Sequence, residues 1–147
     1  MGNHLFDAIR AAAAPGAVFI ERAEGRRWTY GEMIAFSGQL AATLHGLGVR
    51  PGDRVAVQVE KSPEALMLYL ACLRAGAVYL PLNTAYTLAE LDYFIGDAEP
   101  RLVVVDPKSR EGVASIAAAY GSAVATLDAA GRGSLVERAG DEPADFV

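Results

Sequence analysis

Residues 53–106 decide the fold of this chain: DRVAVQVEKSPEALMLYLACLRAGAVYLPLNTAYTLAELDYFIGDAEPRLVVVD. The stretch alternates short, β-branched apolar runs with longer segments that carry helix start and stop signals. Its strand candidates are Arg54–Val59, Ala77–Leu82 and Leu102–Val105. Apolar strands that alternate with helices are typical of parallel sheets joined by right-handed crossovers. The sequence therefore predicts an α/β fold, with a predominantly parallel sheet and helices on both faces.

The two helices in this stretch have clear ends. The first begins after Ser62, whose side-chain oxygen suits an N-cap, with Pro63 at the first helical position. It ends at Gly76, a residue that accepts the left-handed conformation that closes helices. Thr87 and Glu90 have the spacing of a capping box and open the second helix. These signals indicate helices over about 63–75 and 88–98.

The flanking sequence continues the same architecture. The predicted elements are helices at His4–Ala14, Gly31–His45, Ser109–Tyr120 and Leu135–Ala139, a hairpin of Val18–Glu21 and Arg26–Thr29, and a strand at Ala123–Leu127. No internal repeat or low-complexity linker interrupts these elements. We therefore expect residues 1–147 to form one unit without an internal domain boundary.

Composition limits the class of protein. The 147 residues are 52% hydrophobic and carry a net charge of −5, which favours a globular body and disfavours nucleic acid as a partner. The longest uncharged run, residues 75–89, contains glycine and proline, so we expect no membrane span. The only cysteine, Cys72, excludes an internal disulfide and fits a reducing compartment. Without a secretory signal pattern at the start, the predicted location is the cytoplasm.

Several motifs together resemble a known family. They are RPGDRVAV at 50–57, an apolar helix that ends in RAG at 74–76, GAVYLPLN at 76–83 and LAELDYFIGDAEP at 88–100. This pattern resembles the N-terminal segment of the adenylate-forming (AMP-binding) acyl-CoA synthetase superfamily, from about residue 5 to about residue 135. The NTAYT turn at 83–87 makes the chain most similar to the malonyl-CoA synthetase branch, because many relatives have N-P or N-P-R there.

The resemblance implies a two-step reaction in an intact enzyme. ATP, with Mg²⁺, activates a carboxylate as an acyl-adenylate, and coenzyme A then displaces AMP; malonate and coenzyme A are the implied substrates. The Ser/Thr/Gly-rich phosphate loop and the C-terminal domain of the family have no counterpart in these 147 residues. We therefore predict a partial N-terminal domain that is inactive alone, binds no cofactor tightly, and has the remainder of the same enzyme as its partner.

The resemblance also implies one candidate site, without catalytic or metal-binding residues. In similar enzymes the loop after the G-x-V-Y-L-P-L-N strand forms part of a wall near coenzyme A. This assigns Asn83, Thr84 and Tyr86 to the coenzyme A side, although a turn that joins a strand to a capped helix would explain them nearly as well. Ala85 stands where some relatives have a phosphate-binding arginine.

The remaining reactive side chains are better explained structurally. His4 and His45 lie at helix ends without a metal-ligand pattern, and Cys72 lies in an apolar helix. Lys61 follows a strand at the ligand-binding edge of a parallel sheet, but a structural role is favoured there as well.

Two other interpretations stay open. The chain could be a free-standing α/β binding or interaction module without catalysis, or it could belong to another acyl-CoA synthetase branch. The helix core ALMLYLACL, residues 65–73, is apolar around most of its circumference and favours a part of something larger. For the same reason we expect self-association of this chain when it is expressed alone.

Overall fold

A computed structural model describes residues 2–146 as short strands that alternate with helices. The elements are α1 (His4–Ala12), β1 (Val18–Glu21), β2 (Arg27–Thr29), α2 (Tyr30–Gly46), β3 (Arg54–Gln58), α3 (Pro63–Ala75), β4 (Val78–Pro81), α4 (Leu88–Ala98), β5 (Leu102–Val105), α5 (Arg110–Ala119), β6 (Ala123–Thr126) and α6 (Ser134–Ala139). A single 3₁₀ turn at Pro107–Ser109 precedes α5.

The central sheet has four parallel strands in the order β4-β3-β5-β6. Val57 of β3 lies opposite Pro81 on one side and Val104 on the other. Strands β1 and β2 form a separate antiparallel hairpin, in which Ile20 lies opposite Trp28. The predicted α/β fold with a predominantly parallel sheet is confirmed.

Alternation along the strands divides the core into two clusters, one on each face of the sheet. Val55 and Val57 belong to the larger cluster, together with residues of α1, α2, α3 and α6. Ala56 belongs to the smaller cluster with residues of α4 and α5. Because every residue of β5 is buried, the sheet is covered on both faces by helices, as the valine-rich run predicted.

The predicted capping residues of α3 and α4 form their capping contacts in the structure. The Ser62 hydroxyl accepts a 3.0 Å hydrogen bond from the Ala65 N–H, and Gly76 closes α3 with φ of 71°. The capping box of Thr87 and Glu90 is complete, with both reciprocal hydrogen bonds formed. These contacts fix where α3 and α4 begin, and therefore where the loops at the ends of β3 and β4 lie.

One predicted cap and one predicted helix end differ from the structure. Ser109 stands at the N-cap position of α5, which begins at Arg110, but its side chain makes no capping hydrogen bond. The cap is Asp106 instead, whose Oδ1 accepts a 3.0 Å hydrogen bond from the Lys108 N–H ahead of the 3₁₀ turn. Helix α1 ends at Ala12 rather than Ala14, because the backbone becomes extended ahead of Pro15.

Helix α3 is buried along most of its circumference and open on one strip. Met67, Leu68 and Cys72 are fully buried, and Leu70 is 5% exposed. Leu66 is 42% exposed on the remaining side. None of the helices within residues 2–146 has the length and apolar character that crossing a bilayer requires.

Candidate functional site at the carboxyl edge of the sheet

The carboxyl edge of the sheet contains a change of direction in strand order. Strand β4 lies beside β3 on one side, and the chain then crosses so that β5 lies beside β3 on the other. Loops that leave such neighbouring strands in opposite directions open a crevice, which is where open α/β sheets bind ligands. The crevice here lies between the loops that follow β3 and β5.

The loop that follows β4 is fastened to β3 by a buried amide. Gln58, at the end of β3, is 7% exposed. Its Nε2 donates to the backbone carbonyls of Asn83 at 2.9 Å and Tyr86 at 3.4 Å. A buried amide with both contacts satisfied holds the loop against the sheet, because releasing it would leave a polar group without a partner. The candidate residues 83–86 therefore have a fixed position.

The structure gives Asn83 and Tyr86 clear roles within the loop. Asn83 Oδ1 accepts a 2.9 Å hydrogen bond from the Ala85 N–H, the local contact that stabilises Asx turns. The Tyr86 N–H donates to the Asn83 carbonyl at 3.0 Å, which closes the turn. The Tyr86 ring stacks on Phe94 of α4, with 4.9 Å between ring centroids. Both residues build the turn.

Thr84 is the one of the three candidates that lines a pocket at this edge. The pocket has a volume of about 50 Å³, and its other walls include Gln58, Glu60, Asp106 and Lys108. With Ser109 as a further wall, it brings two carboxylates, one ammonium group and two hydroxyls to the ends of neighbouring strands. Asp106 could have been identified from the sequence, because it directly follows a buried strand. The place of Lys108 in the pocket could not have been identified in this way, because it depends on the 3₁₀ turn.

The structure separates the other reactive side chains from this edge pocket. Lys61 lines a different cleft, beside the β1–β2 hairpin. Cys72 is buried in α3, and this burial raises the pKa of its thiol to about 12, which disfavours the reactive thiolate. His4 and His45 are exposed. Within residues 2–146, His, Cys, Asp and Glu side chains form no group of three that could hold a metal ion.

A second polar cluster joins the hairpin to α3. Glu64, in the first turn of α3, is 3% exposed, and its Oε1 lies 3.5 Å from Nη1 of Arg26. The Arg26 guanidinium in turn lies 4.9 Å from the centroid of the Trp28 ring. Arg26 thereby places a positive charge beside a buried carboxylate. The cluster has a structural role as an ion pair between two elements.

Comparison with known proteins places the chain among the AMP-binding enzymes. The solved structure of apo MatB from Rhodopseudomonas palustris is similar with a TM-score of 0.95 and 51% identity, over 100% of this chain and 30% of the MatB chain. The ATP-bound structure of the same protein gives a TM-score of 0.95 and 52% identity, over 99% of this chain and 29% of the MatB chain.

Curated relatives carry other substrate names. Feruloyl-CoA synthase from Amycolatopsis sp is 38% identical over 109 residues, which are 74% of this chain and 22% of that protein. The long-chain-fatty-acid–CoA ligase FadD13 from Mycobacterium tuberculosis is 31% identical over 140 residues, 92% of this chain and 28% of that protein. The chain thus spans less than a third of the length of these proteins. Residues 8–145 match the family model of the AMP-binding enzymes, and the chain belongs to that family.

Proposed function

We propose that this chain is the N-terminal part of an ATP-dependent, AMP-forming acid–CoA ligase that converts malonate, coenzyme A and ATP into malonyl-CoA, AMP and diphosphate. The observation that carries the proposal is the 51% identity with MatB along the whole chain, at a TM-score of 0.95. Relatives named for ferulate and for long-chain fatty acids are 38% and 31% identical. The malonate assignment therefore depends on the MatB likeness, together with the resemblance of the NTAYT turn to the malonyl-CoA synthetase branch. We propose the cytoplasm as the location.

ATP does not fit the edge pocket that residues 2–146 form. The edge pocket of about 50 Å³ is far smaller than the roughly 300 Å³ or more of typical ligand sites. Neither Lys61 nor Lys108 ends a glycine-rich loop that could cradle phosphates. The small pocket also counts against a free-standing nucleotide-binding module at this edge. In our proposal the remainder of the enzyme binds ATP and Mg²⁺, and we assign no chemical step to this chain.

The part of the site that we assign to this chain is a wall on the coenzyme A side, formed by Asn83, Thr84 and Tyr86. Gln58 holds this turn in place, and the exposed Thr84 hydroxyl is available to a substrate. Replacing Thr84 with valine in the full-length gene product should raise KM for coenzyme A roughly three- to tenfold, the loss of about one hydrogen bond. KM for ATP should stay unchanged.

A matched control for that substitution is Ser115→Ala, which removes an exposed hydroxyl from α5. It should change neither KM. If Thr84→Val leaves KM for coenzyme A at the control value, Thr84 does not contribute to the wall, and the turn serves only to connect β4 with α4.

Exchange between ATP and labelled diphosphate tests the adenylation step. The full-length gene product should exchange label in the presence of malonate, whereas the 147-residue chain should give the rate of a blank because it contains no phosphate loop. Exchange by the chain alone, in a preparation free of host ligases, would overturn our proposal that the remainder of the enzyme binds ATP. Absence of exchange by the full-length product with every acid tested would favour a non-catalytic module.

A further inference from the structure

A cleft of about 690 Å³ separates the β1–β2 hairpin from α3 and β4. Its walls are apolar, formed by Ile20 on the hairpin, Leu66 and Tyr69 on α3, and Tyr79 on β4. The rings of Tyr69 and Tyr79 meet edge to face, with 5.3 Å between their centroids. The cleft shares no lining residue with the carboxyl-edge pocket.

A large apolar side chain in this cleft is exposed to solvent. Leu66 is 42% exposed, although its neighbours Met67 and Leu68 are fully buried. Tyr69 and Tyr79, which line the cleft beside it, are only half-buried. Apolar groups that are exposed along a concave surface indicate an interaction site more often than a free surface.

The backbone of β4 has an unused edge beside the same cleft. The N–H groups of Val78 and Leu82 donate to the Asp53 and Val57 carbonyls, on the β3 side. Alternation along the strand therefore directs the N–H and carbonyl of Tyr79, and the carbonyl of Pro81, to the opposite side. Within the described residues β4 pairs with β3 alone. Proline lacks an N–H, so this edge offers one donor and two acceptors to a further strand.

The charges at the rim specify the partner further. Arg22 is paired with Glu24 at 2.7 Å. Lys61, on the opposite rim, takes part in no salt bridge among residues 2–146. An apolar segment with an acidic residue close to Lys61 would complement both the walls and the rim.

We propose that a strand from the polypeptide that follows residue 146 in the intact ligase pairs with the free edge of β4 at Tyr79 and places an apolar side chain in this cleft. The inference rests on the proposed function, in which this chain is part of a larger ligase. The chain covers 30% of the MatB chain, so most of a comparable enzyme lies outside the described residues and supplies the occupant. The strand adds main-chain hydrogen bonds, and the cleft selects its side chain.

The test is native-state thiol labelling of the full-length gene product. Leu66→Cys places a thiol in the cleft, and Leu5→Cys places one on α1, where the leucine is 51% exposed and outside the cleft. A maleimide reagent is followed by mass spectrometry of the peptide that contains each position. Cys72 is fully buried and serves as an internal unlabelled reference. Amide hydrogen exchange at Tyr79 is measured in the same protein.

The proposal expects the thiol at position 66 to react at least roughly a hundredfold more slowly than the thiol at position 5, at all protein concentrations, with slow exchange of the Tyr79 amide. Equal labelling rates would overturn it. Protection at position 66 that disappears on dilution would also overturn it, because a second copy of the chain would then be the occupant. If the thiol at position 66 is reactive in a fully active ligase, the strand docking is rejected and the proposed function stands. If that thiol is protected in a protein that does not use malonate, only the proposed substrate is rejected.

Discussion

The guanidinium group of Arg74 donates a 3.2 Å hydrogen bond to the backbone carbonyl of Phe146, 72 residues further along the chain. It also donates to the Ile34 carbonyl at 2.6 Å and to the Ser37 hydroxyl at 2.9 Å. The same group lies 4.4 Å from the centroid of the Phe6 ring. Burial, followed by the nearby Arg10, lowers the pKa of Arg74 to about 10, so it stays charged at neutral pH. One side chain of α3 thereby fastens α1, α2 and the C-terminal tail to each other.

Replacing Arg74 with methionine should release the tail. The apolar stem remains, but the acceptors at residues 34, 37 and 146 lose a charged donor, which should lower the free energy of unfolding by about 2–4 kcal/mol. Urea unfolding measures the loss, and hydrogen exchange over residues 141–146 should become faster. Arg110→Met, at an exposed arginine at the start of α5, is the control and should change stability little. Equal stabilities of the two variants would show that the Arg74 contacts contribute nothing.

A substitution at Gly38 tests the docking of the C-terminal tail from the side of α2, which the tail also contacts. A methyl group at Gly38 of α2 would overlap the backbone carbonyl of Ala144. Alanine in a helix interior is otherwise favoured over glycine by about 1 kcal/mol, so this gain opposes the clash. Because a backbone carbonyl cannot move aside as a side-chain tip can, we expect Gly38→Ala to destabilise the chain by about 1–3 kcal/mol. Gly16→Ala, with no atom within 4 Å of the added methyl, should have little effect. A more stable Gly38→Ala variant would mean that the tail is not docked.

Cys72 predicts a loss of stability at alkaline pH. Burial raises the pKa of its thiol from 9.0 to about 12. Between these values the unfolded thiol is ionised and the folded thiol is not, so the folded state binds more protons. The free energy of unfolding should therefore fall as pH rises from 9 towards 12, by up to about 1.4 kcal/mol per pH unit from this group. Below pH 9 the thiol should have no effect on the pH dependence.

The comparison of wild type with Cys72→Ala separates the thiol, together with its effect on Tyr79, from the other groups that titrate in this range. Burial, followed by the neighbouring Cys72, raises the pKa of Tyr79 to about 12, which adds a loss in the same direction, and Arg74 opposes it. Both groups are retained in the variant. The variant should lose less stability between pH 9 and 12 than the wild type. Parallel curves for the two proteins would mean that the folded thiol ionises normally.

Two substitutions on α3 distinguish its buried side from its open strip. Leu70 is 5% exposed, so Leu70→Asp places an unpaired charge in the core and should cost several kcal/mol, about as much as many domains possess in total. We expect insoluble protein, or loss of the native circular dichroism spectrum. Leu66→Asp, at a leucine that is 42% exposed, should leave the 147-residue chain folded. A native melting curve for Leu70→Asp would contradict the packing of α3 against the sheet.

Local signals predicted the helix ends well because capping uses atoms within a few residues. Ser62 and Gly76 bracket α3 as their chemistry requires, and the Thr87–Glu90 capping box forms. The valine-rich run of β5 likewise predicted a strand covered on both faces. Ser109 makes no capping hydrogen bond, whereas Asp106, with a stronger acceptor, stands ahead of Pro107 and caps a 3₁₀ turn first.

Contacts between distant residues could not be predicted from local sequence patterns. The C-terminal tail has the composition of a loop, and only the structure shows that Arg74 donates a hydrogen bond to Phe146. The candidate turn was located correctly after β4, but its attachment to Gln58 depends on a side chain 25 residues away. Whether Thr84 meets coenzyme A stays a prediction, because the turn geometry accounts for Asn83 and Tyr86 without a ligand.

The central claim is that the intact enzyme joins malonate to coenzyme A. The most direct test is the specificity constant, kcat/KM, of the full-length gene product for malonate, methylmalonate, ferulate and palmitate, with thioester and AMP identified by mass spectrometry. We predict malonyl-CoA and AMP as products, with a value for malonate at least about tenfold above those for ferulate and palmitate. A higher value for ferulate or palmitate, or no thioester from malonate, would contradict the malonate assignment.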